Sequence, residues 1–437
     1  MSFTFLQNKD RDPIMLPRVL HTTLSRKLNY PKLIKRKTCL QPFFLCMLII
    51  FPGSLTAEGE SDIKSIWQNG YHVVSGDNNF RLKFGGRIQH HFSFFNQDKD
   101  VENLLGSLDN GSEFRRIRFY NSGTIYKSVQ YKLQLNYSEG AASLADVWVG
   151  LTGIPFIGNL RVGHLKEAFS LDMMTSSNNI TFLERALVTA FKKQRNSGIS
   201  IFNTVLNQKL IWAIGLFQNT DKFGNSIDEG QNLTSRVVYL PYYNKNKNRL
   251  LHIGAGYSSR TPPNNEFSIK SRPEAHLAPA YINTGTIEGA TSSYMTGGEL
   301  AVLLNRFGMQ GEFMTTEVNS DSGNFTFNGF YVETSLFLTD DHRTYSTSTG
   351  AYTGINPRRS FSSEESNQGL GAWQIALRYS YLDLTDQDIS GGILSDVTAG
   401  LNWYLNPATR ISLNYTIANL ENVGQSNIFQ SKFQVAF

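Results

Sequence analysis

From Phe80 to Phe437 the chain alternates apolar and polar side chains at a period of two. In "YKLQLNY", Tyr131, Leu133, Leu135 and Tyr137 fall on one face, and Lys132, Gln134 and Asn136 on the other. "AWQIALRYSYL" sets Trp373, Ile375, Leu377, Tyr379 and Tyr381 against Gln374, Ala376, Arg378 and Ser380. "VTAGLNWYLNPATRISLNYTI" carries the pattern through a tight turn at Asn406-Pro407. Leu401, Trp403, Leu405, Ile411, Leu413, Tyr415 and Ile417 lie on its apolar side; Thr398, Gly400, Asn402, Ser412, Asn414 and Thr416 lie on the other. Successive side chains of a strand point to opposite faces, so this alternation predicts strands. No stretch beyond the first 57 residues is apolar enough for a transmembrane helix, and heptads are absent.

A soluble sandwich alternates too, but three features favour a membrane. The predicted strands run about nine to eleven residues, the length a tilted strand needs to cross a bilayer, whereas soluble strands average about five or six. Aromatic residues cluster at the ends of the apolar faces, as in a membrane girdle. The polar faces are rich in Gly, Ser, Asn and Gln with scattered Arg and Lys, a composition suited to water. Only a closed barrel satisfies every backbone group of a sheet in lipid.

Short turns at Thr339-Asp340-Asp341 and Asn406-Pro407 alternate with longer polar segments at Thr261–Thr296 and Arg343–Gly371. That asymmetry predicts short periplasmic turns and long external loops. The last strand, "KFQVAF", alternates Phe433, Val435 and the terminal Phe437. The 358 residues from Phe80 to Phe437, at roughly 20–24 residues per strand and connection, give about sixteen strands around an aqueous lumen. The expected fold is all-β: a transmembrane antiparallel β-barrel.

Charge changes the picture once the N-terminus is set apart. The formal charge of +5 arises from residues 1–57, which hold nine basic and two acidic residues. The rest has 32 Lys and Arg against 34 Asp and Glu, so a nucleic-acid partner loses its support. "KLIKRK" at Lys32–Lys37, the apolar run Phe43–Phe51 and small residues ending at Ala57 have the layout of a secretory signal peptide. The run is too short to be an anchor. The expected organisation is a signal peptide at 1–57, with an over-long n-region and Met15 as a second candidate start. A periplasmic lead-in at 58–79 and an outer-membrane barrel at 80–437 follow. Both cysteines, Cys39 and Cys46, lie in the leader, so the mature chain has no disulfide or cysteine metal site.

The densest local charge is "FRRIRFY", Phe114 to Tyr120. Arg116, Arg118 and Tyr120 share one face; Ile117 and Phe119 share the other with Arg115. Lipid-facing Ile117 and Phe119 put Arg116 and Arg118 in the lumen. Arg115 then falls toward lipid, where a midplane arginine costs about 2–4 kcal/mol. A strand end or a bulge that turns it inward resolves the conflict. Fixed arginines lining water are an anion-selective device.

In order along the chain, "FRLKFGGRIQ", "FRRIRF", "LRVGHLKEAFSLDMMTSSNNITFLERA", "LLHIGAGYSSR", "SRPEAHLA", "GFYVETSLFLTD", "GAWQIALRYSYLDL" and "LNWYLNP" resemble the phosphate-selective porins of the porin O/P family. The resemblance runs from about Trp67 to Phe437. It implies a sixteen-stranded, homotrimeric outer-membrane porin of a Gram-negative bacterium, with an inward-folded third loop. Motif by motif it implies a constriction pair at Arg115 and Arg116, with Arg87, Lys132, Arg161 and Arg185 as further anion-binding residues, to which strand parity adds Arg118. Glu184 precedes Arg185 in the "ER" that closes the loop, and Lys270 and Arg272 belong to an external ladder. The third loop is expected from Gly163 to about Thr181. The chain departs from the family pattern at Met173 and Asn178, where lysines are usual, at Ala145 beside Asp146, where an acidic residue is usual, and at Glu274, where a ladder arginine is usual.

The expected partners are phosphate or other small anions and outer-membrane lipid. No cofactor or metal is expected. No G-x-S-x-G, H-E-x-x-H or phosphate loop is present, so no enzyme is expected. His90 and His91 are adjacent strand residues and face opposite sides. Two alternatives stay open: a general-diffusion porin without phosphate selectivity, and a structural or adhesin barrel.

Overall fold

The computed structural model describes residues 63–437 except 68–69, 192–193, 363 and 365–368. The expected signal peptide and both cysteines lie outside the described residues. Of the lead-in, Lys64–Trp67 and Tyr71–Val74 form a short hairpin on the edge of the first barrel strand.

Among the described residues sixteen long strands follow. The first four are β1 (Phe80–Gln97), β2 (Gly111–Ile125), β3 (Val129–Asn136) and β4 (Ser143–Ile154). Next come β5 (Gly158–Lys166), β6 (Arg195–Val205), β7 (Leu210–Thr220) and β8 (Ser226–Asn244). β9 (Arg249–Arg260), β10 (Ala290–Leu304), β11 (Phe307–Ser320) and β12 (Gly323–Phe337) continue the wall. β13 (Ala372–Asp386), β14 (Ile389–Tyr404), β15 (Thr409–Leu420) and β16 (Gly424–Ala436) complete it. Each strand pairs antiparallel with the next, and β16 pairs with β1 from Ser426 opposite Gln97 to Ala436 opposite Arg87. The sheet is therefore a closed barrel with no free edge in its wall.

The alternation read from the sequence sorts the two faces. Phe119, Leu133, Val149, Leu377, Tyr415 and Phe433 point outward and are exposed, while Gln134, Gln374, Ser380, Asn402, Thr416 and Gln430 point inward and are buried. Strand length departs from the uniform nine to eleven residues expected, running from 8 in β3 to 19 in β8. Ladder pairing runs to different lengths from strand to strand, so wall height varies around the barrel.

Connections in an antiparallel barrel alternate between its ends. Segments 98–110, 167–194 and 261–289 therefore share one end; 126–128, 206–209 and 338–371 share the other. This corrects the placement of Arg343–Gly371, which follows β12 and lies at the end of the short turns and the C-terminus. Thr339–Asp341 is not a turn between wall strands but the start of that long segment, where Thr339 Oγ1 donates to Asp341 Oδ2 at 2.6 Å. The 261–289 loop also ends earlier than expected, because β10 begins at Ala290.

Three segments fold into the lumen, and they explain why so many inward residues are buried. Segment 261–289 carries Ile269, Ala275, Ala278, Tyr281, Ile282 and Ile287 into an apolar core with Leu382, Leu394, Leu420 and Ile428 of β13–β16. Segment 338–371 forms a small hairpin at Tyr345–Ser346 and Ala351–Tyr352. Its Ala351 and Tyr352 pack with Leu171 and with Ile211, Val238, Leu250 and Leu303 of β7–β10. The third segment, 167–194, lies between the other two. Parts of the inner face are thus a packed core rather than a uniformly wetted surface.

Candidate functional site: cation-lined cavities beside the third loop

The loop that shapes the site runs from residue 167 to 194, since β5 persists through Lys166 and the wall resumes at Arg195. This corrects its expected start at Gly163 and end near Thr181. Phe169, Leu171 and Met173 are buried, Phe169 and Leu171 in apolar clusters with the wall and Met173 beside the larger cavity described below. The Phe169 carbonyl passes so close to Gly256 of β9 that a Cβ there would sit 2.5 Å from it. The short helix Leu171–Met174 starts with two bonds from the wall: Glu312 Oε2 accepts from Leu171 N at 3.1 Å and Oε1 from Asp172 N at 2.8 Å. Lys166 Nζ donates to Met173 O at 2.7 Å, and Arg185 Nη2 to Thr175 O at 2.8 Å. These charged bonds tie both ends of the loop to its middle.

On the facing wall, the register of β1 and β2 slips by one residue. Gln89 pairs with Arg116 and His90 with Phe114, so Arg115 is the extra residue of a bulge. Its side chain points inward: Arg115 Nε donates to Glu184 Oε1 at 2.7 Å and Nη2 to Oε2 at 3.2 Å. Arg116 Nη2 reaches Glu184 Oε2 at 3.3 Å, and its Nη1 donates to Gln89 Oε1 at 3.0 Å. Burial alone would raise the Glu184 carboxyl, but Arg115 and Arg116 outweigh it and hold the group well below the usual carboxylate range.

Two cavities flank the loop tip on this side. A cavity of about 550 Å³ is lined by Arg115, Arg116, Arg118, Glu184, Arg185 and Ser177, and by Lys270, Arg272 and Glu274 of the 261–289 segment. A second, of about 470 Å³, is lined by Arg87, Lys132, Lys83, Tyr120 and Trp148 with Ser176 and Asn178 of the tip. Arg87 Nη1 donates to Ser177 Oγ at 2.7 Å across the narrows. Lys132 Nζ binds Asp146 Oδ2 at 2.6 Å, and Arg195 Nε binds Oδ1 at 2.7 Å.

The structure thus gathers Arg115, Arg116, Arg118, Arg185, Lys270 and Arg272 around the first cavity, and Arg87 and Lys132 around the second. It does not bring Arg161 to either. That guanidinium lies between the rings of Trp148, 4.2 Å away, and Phe202, 4.5 Å away, and lines a smaller space with Lys166 and Arg236. His90 packs on Phe92 and Phe114, whereas His91 turns toward Glu184, as expected of strand neighbours.

Sequence reasoning named Glu184, Asp146 and Glu274 but not the cations they pair with, and it missed Glu299. Asp146 faces the lumen beside the buried Ala145, so an acidic group is present one residue from where the family pattern places it. Glu274 is buried against Arg378 of β13, and Arg236 is held by Glu299 at 2.6 Å and by Gly350 O at 2.8 Å. The signal for Arg378 and Arg236 was available in strand parity, since both share a face with small polar residues.

A family model described as phosphate-selective porin O and P matches residues 82–437. The chain belongs to that family. This porin is 23 % identical over 417 residues to Porin O of Pseudomonas aeruginosa, covering 86 % of this chain and 91 % of the relative. It is 29 % identical over 371 residues to an uncharacterized protein of Caulobacter vibrioides, covering 81 % of this chain and 71 % of that one. Among solved structures, the fold is similar to OmpT of Vibrio cholerae, with a TM-score of 0.55 at 10 % identity over 82 % of this chain and 98 % of that one. It is also similar to an anion-selective porin from Comamonas acidovorans, with a TM-score of 0.50 at 12 % identity over 82 % of this chain and all of that one. The porin forms an outer-membrane channel. Segments 167–194 and 261–289 enter from one end of the barrel, and 338–371 from the other.

Proposed function

We propose that the channel prefers anions, with phosphate or a related multivalent oxyanion among them. With the end that carries 167–194 and 261–289 facing outward, they would pass along the β1–β4 wall from the first cavity, the outer one, over the third-loop tip, to the second, the inner one. The carrying observation is the charge around the outer cavity: six cationic side chains, Arg115, Arg116, Arg118, Arg185, Lys270 and Arg272, against the two carboxylates of Glu184 and Glu274. At an effective dielectric of about 20, each contact at about 4 Å is worth about 4 kcal/mol before desolvation. Several partly compensated sites in series suit throughput better than one deep site. Titrating inorganic phosphate against chloride current in planar bilayers tests this. Saturable block supports the reading, and a current that phosphate leaves unchanged refutes a phosphate site.

A general-diffusion porin is the second reading. It is favoured by Met173 and Asn178, which put no charge at the loop, and by Glu184, Asp146 and Asp172, which pair with Arg115, Lys132 and Arg185. Three further proposals accompany the first. The chain assembles as a homotrimer, as does one form of the structurally similar Vibrio cholerae OmpT; unheated gel migration tests it. Residues 1–57 are a cleaved signal peptide, so N-terminal sequencing of outer-membrane material finds nothing before about Gly53. Residues 80–437 form the porin barrel after a periplasmic lead-in at 58–79.

A further inference from the structure

Glu184 holds its carboxylate inside a fork of two guanidiniums. Oε1 accepts from Arg115 Nε at 2.7 Å, and Oε2 accepts from Arg115 Nη2 at 3.2 Å and Arg116 Nη2 at 3.3 Å. His91 Nδ1 stands 3.9 Å from Oε1. The Glu184 main-chain carbonyl accepts from Arg378 Nη2 at 3.2 Å, which fixes the residue to β13 on another part of the wall. The carboxylate is anchored from behind, and its side chain is mostly buried at the margin of the outer cavity.

A carboxylate presents two oxygens to paired guanidiniums in the way one edge of a phosphate does. This oxyanion position on the cavity wall is therefore already filled, and the anion that fills it belongs to the chain. Arg118 lies two residues along the same strand with its Nε on Asn136 Oδ1 at 3.2 Å. Lys270 and Arg272 lie on the other side of the same cavity. An arriving anion has cationic places to wait beside the filled fork.

We infer that Glu184 is a tethered competitor for the permeating anion. A multivalent oxyanion takes the Arg115–Arg116 fork by displacing the carboxylate, and the competition keeps binding weak and transit fast. The inference rests on the anion-channel reading above. A group held on a short tether competes as if present at roughly millimolar concentration or above, so only anions that outbid it occupy the fork for long. The same competition explains how an arginine-rich narrows avoids trapping its cargo, since conduction needs sites weak enough to leave.

The test uses the full chain in planar bilayers, with inorganic phosphate titrated against chloride current. Glu184→Gln keeps the side chain's length and removes its charge; the half-blocking phosphate concentration is expected to fall about tenfold, with longer-lived block events. Glu184→Asp keeps the charge but withdraws it by one methylene, and its half-blocking concentration is expected between the other two. Because Glu184→Asp is the milder change, it decides the matter if Glu184→Gln displaces the loop and raises chloride conductance. Block that is unchanged or weaker in Glu184→Asp, or in a Glu184→Gln channel of parental conductance, overturns the inference while the parent's anion preference stands. A parent channel whose reversal potential is that of a cation channel overturns the anion reading, and this inference with it.

Discussion

Arg115 donates its Nε to Glu184 Oε1 at 2.7 Å from a position that unbroken alternation along β2 would give to lipid. The register slip between Gln89 and His90 makes Arg115 the surplus residue and turns it in beside Arg116. One bulge thus removes a guanidinium from hydrocarbon, where it costs about 2–4 kcal/mol at the midplane. It also gives the lumen a two-arginine fork.

Replacing Arg115 or Arg116 with Ala is expected to weaken anion preference and reduce phosphate block. The double variant should lose less than the sum of the singles, because both side chains serve one carboxylate and one passing ion. Each single variant leaves Glu184 one arginine, so its stability loss stays below the about 3–5 kcal/mol typical when a buried charge loses its only partner. Single-channel selectivity and heat-induced mobility shift measure the two effects. An Arg115→Ala channel with parental selectivity would show that the bulge serves only to avoid lipid.

Glu184 also sets a pH expectation. Its carboxyl is depressed in the folded chain, below the ordinary value of 4.5, because Arg115 and Arg116 outweigh burial. A depressed carboxyl stabilises the fold fully above its unfolded value, and that contribution is lost as pH falls through the folded value. The part of any pH response that Glu184→Gln removes should therefore lie below pH 4.5. A transition centred above pH 4.5 that is present in the parent and absent in Glu184→Gln would mean that the fork does not hold the carboxylate.

Segment 338–371 makes a prediction that parity in the sequence did not offer. Arg236 binds Gly350 O at 2.8 Å, and the Thr204 hydroxyl binds Thr347 O at 3.0 Å, so the hairpin is held against the inner wall. Deleting 344–353 should raise conductance, with selectivity kept because the Arg115–Arg116 fork is untouched. Unchanged conductance would place this hairpin off the ion path.

The barrel was legible because alternation is local: "YKLQLNY" and "AWQIALRYSYL" put Leu133, Tyr137, Ile375, Leu377 and Tyr379 outside and Gln134, Gln374, Arg378 and Ser380 inside, as observed. The bulge was legible from a physical conflict, an arginine among lipid-facing Ile117 and Phe119. The end at which 338–371 lies was not, because it depends on counting strands through regions where apolar inward residues such as Leu382, Leu394 and Leu420 mask the polar face. The pairing of acids with cations was hidden for another reason. Glu184 and Arg115 are 69 residues apart, and nothing local in either stretch states that they meet.

Gly256 is expected to be indispensable to the position of the third loop. A Cβ there would meet the Phe169 carbonyl at 2.5 Å, and overpacking of this kind costs about 1–3 kcal/mol. Gly256→Val should loosen the loop and appear as noisier, larger unitary currents. Parental conductance and noise in Gly256→Val would show that the wall yields instead.

The central claim is that fixed lumenal cations make this porin prefer anions. The most direct measurement is the zero-current potential of the purified channel under a tenfold potassium chloride gradient. The cationic lining of the outer cavity, six side chains against two carboxylates, predicts a potential with the sign set by chloride permeation, and one that shrinks when Arg115 and Arg116 are both replaced by Ala. A potential near zero, or one with the sign of potassium permeation, would contradict it.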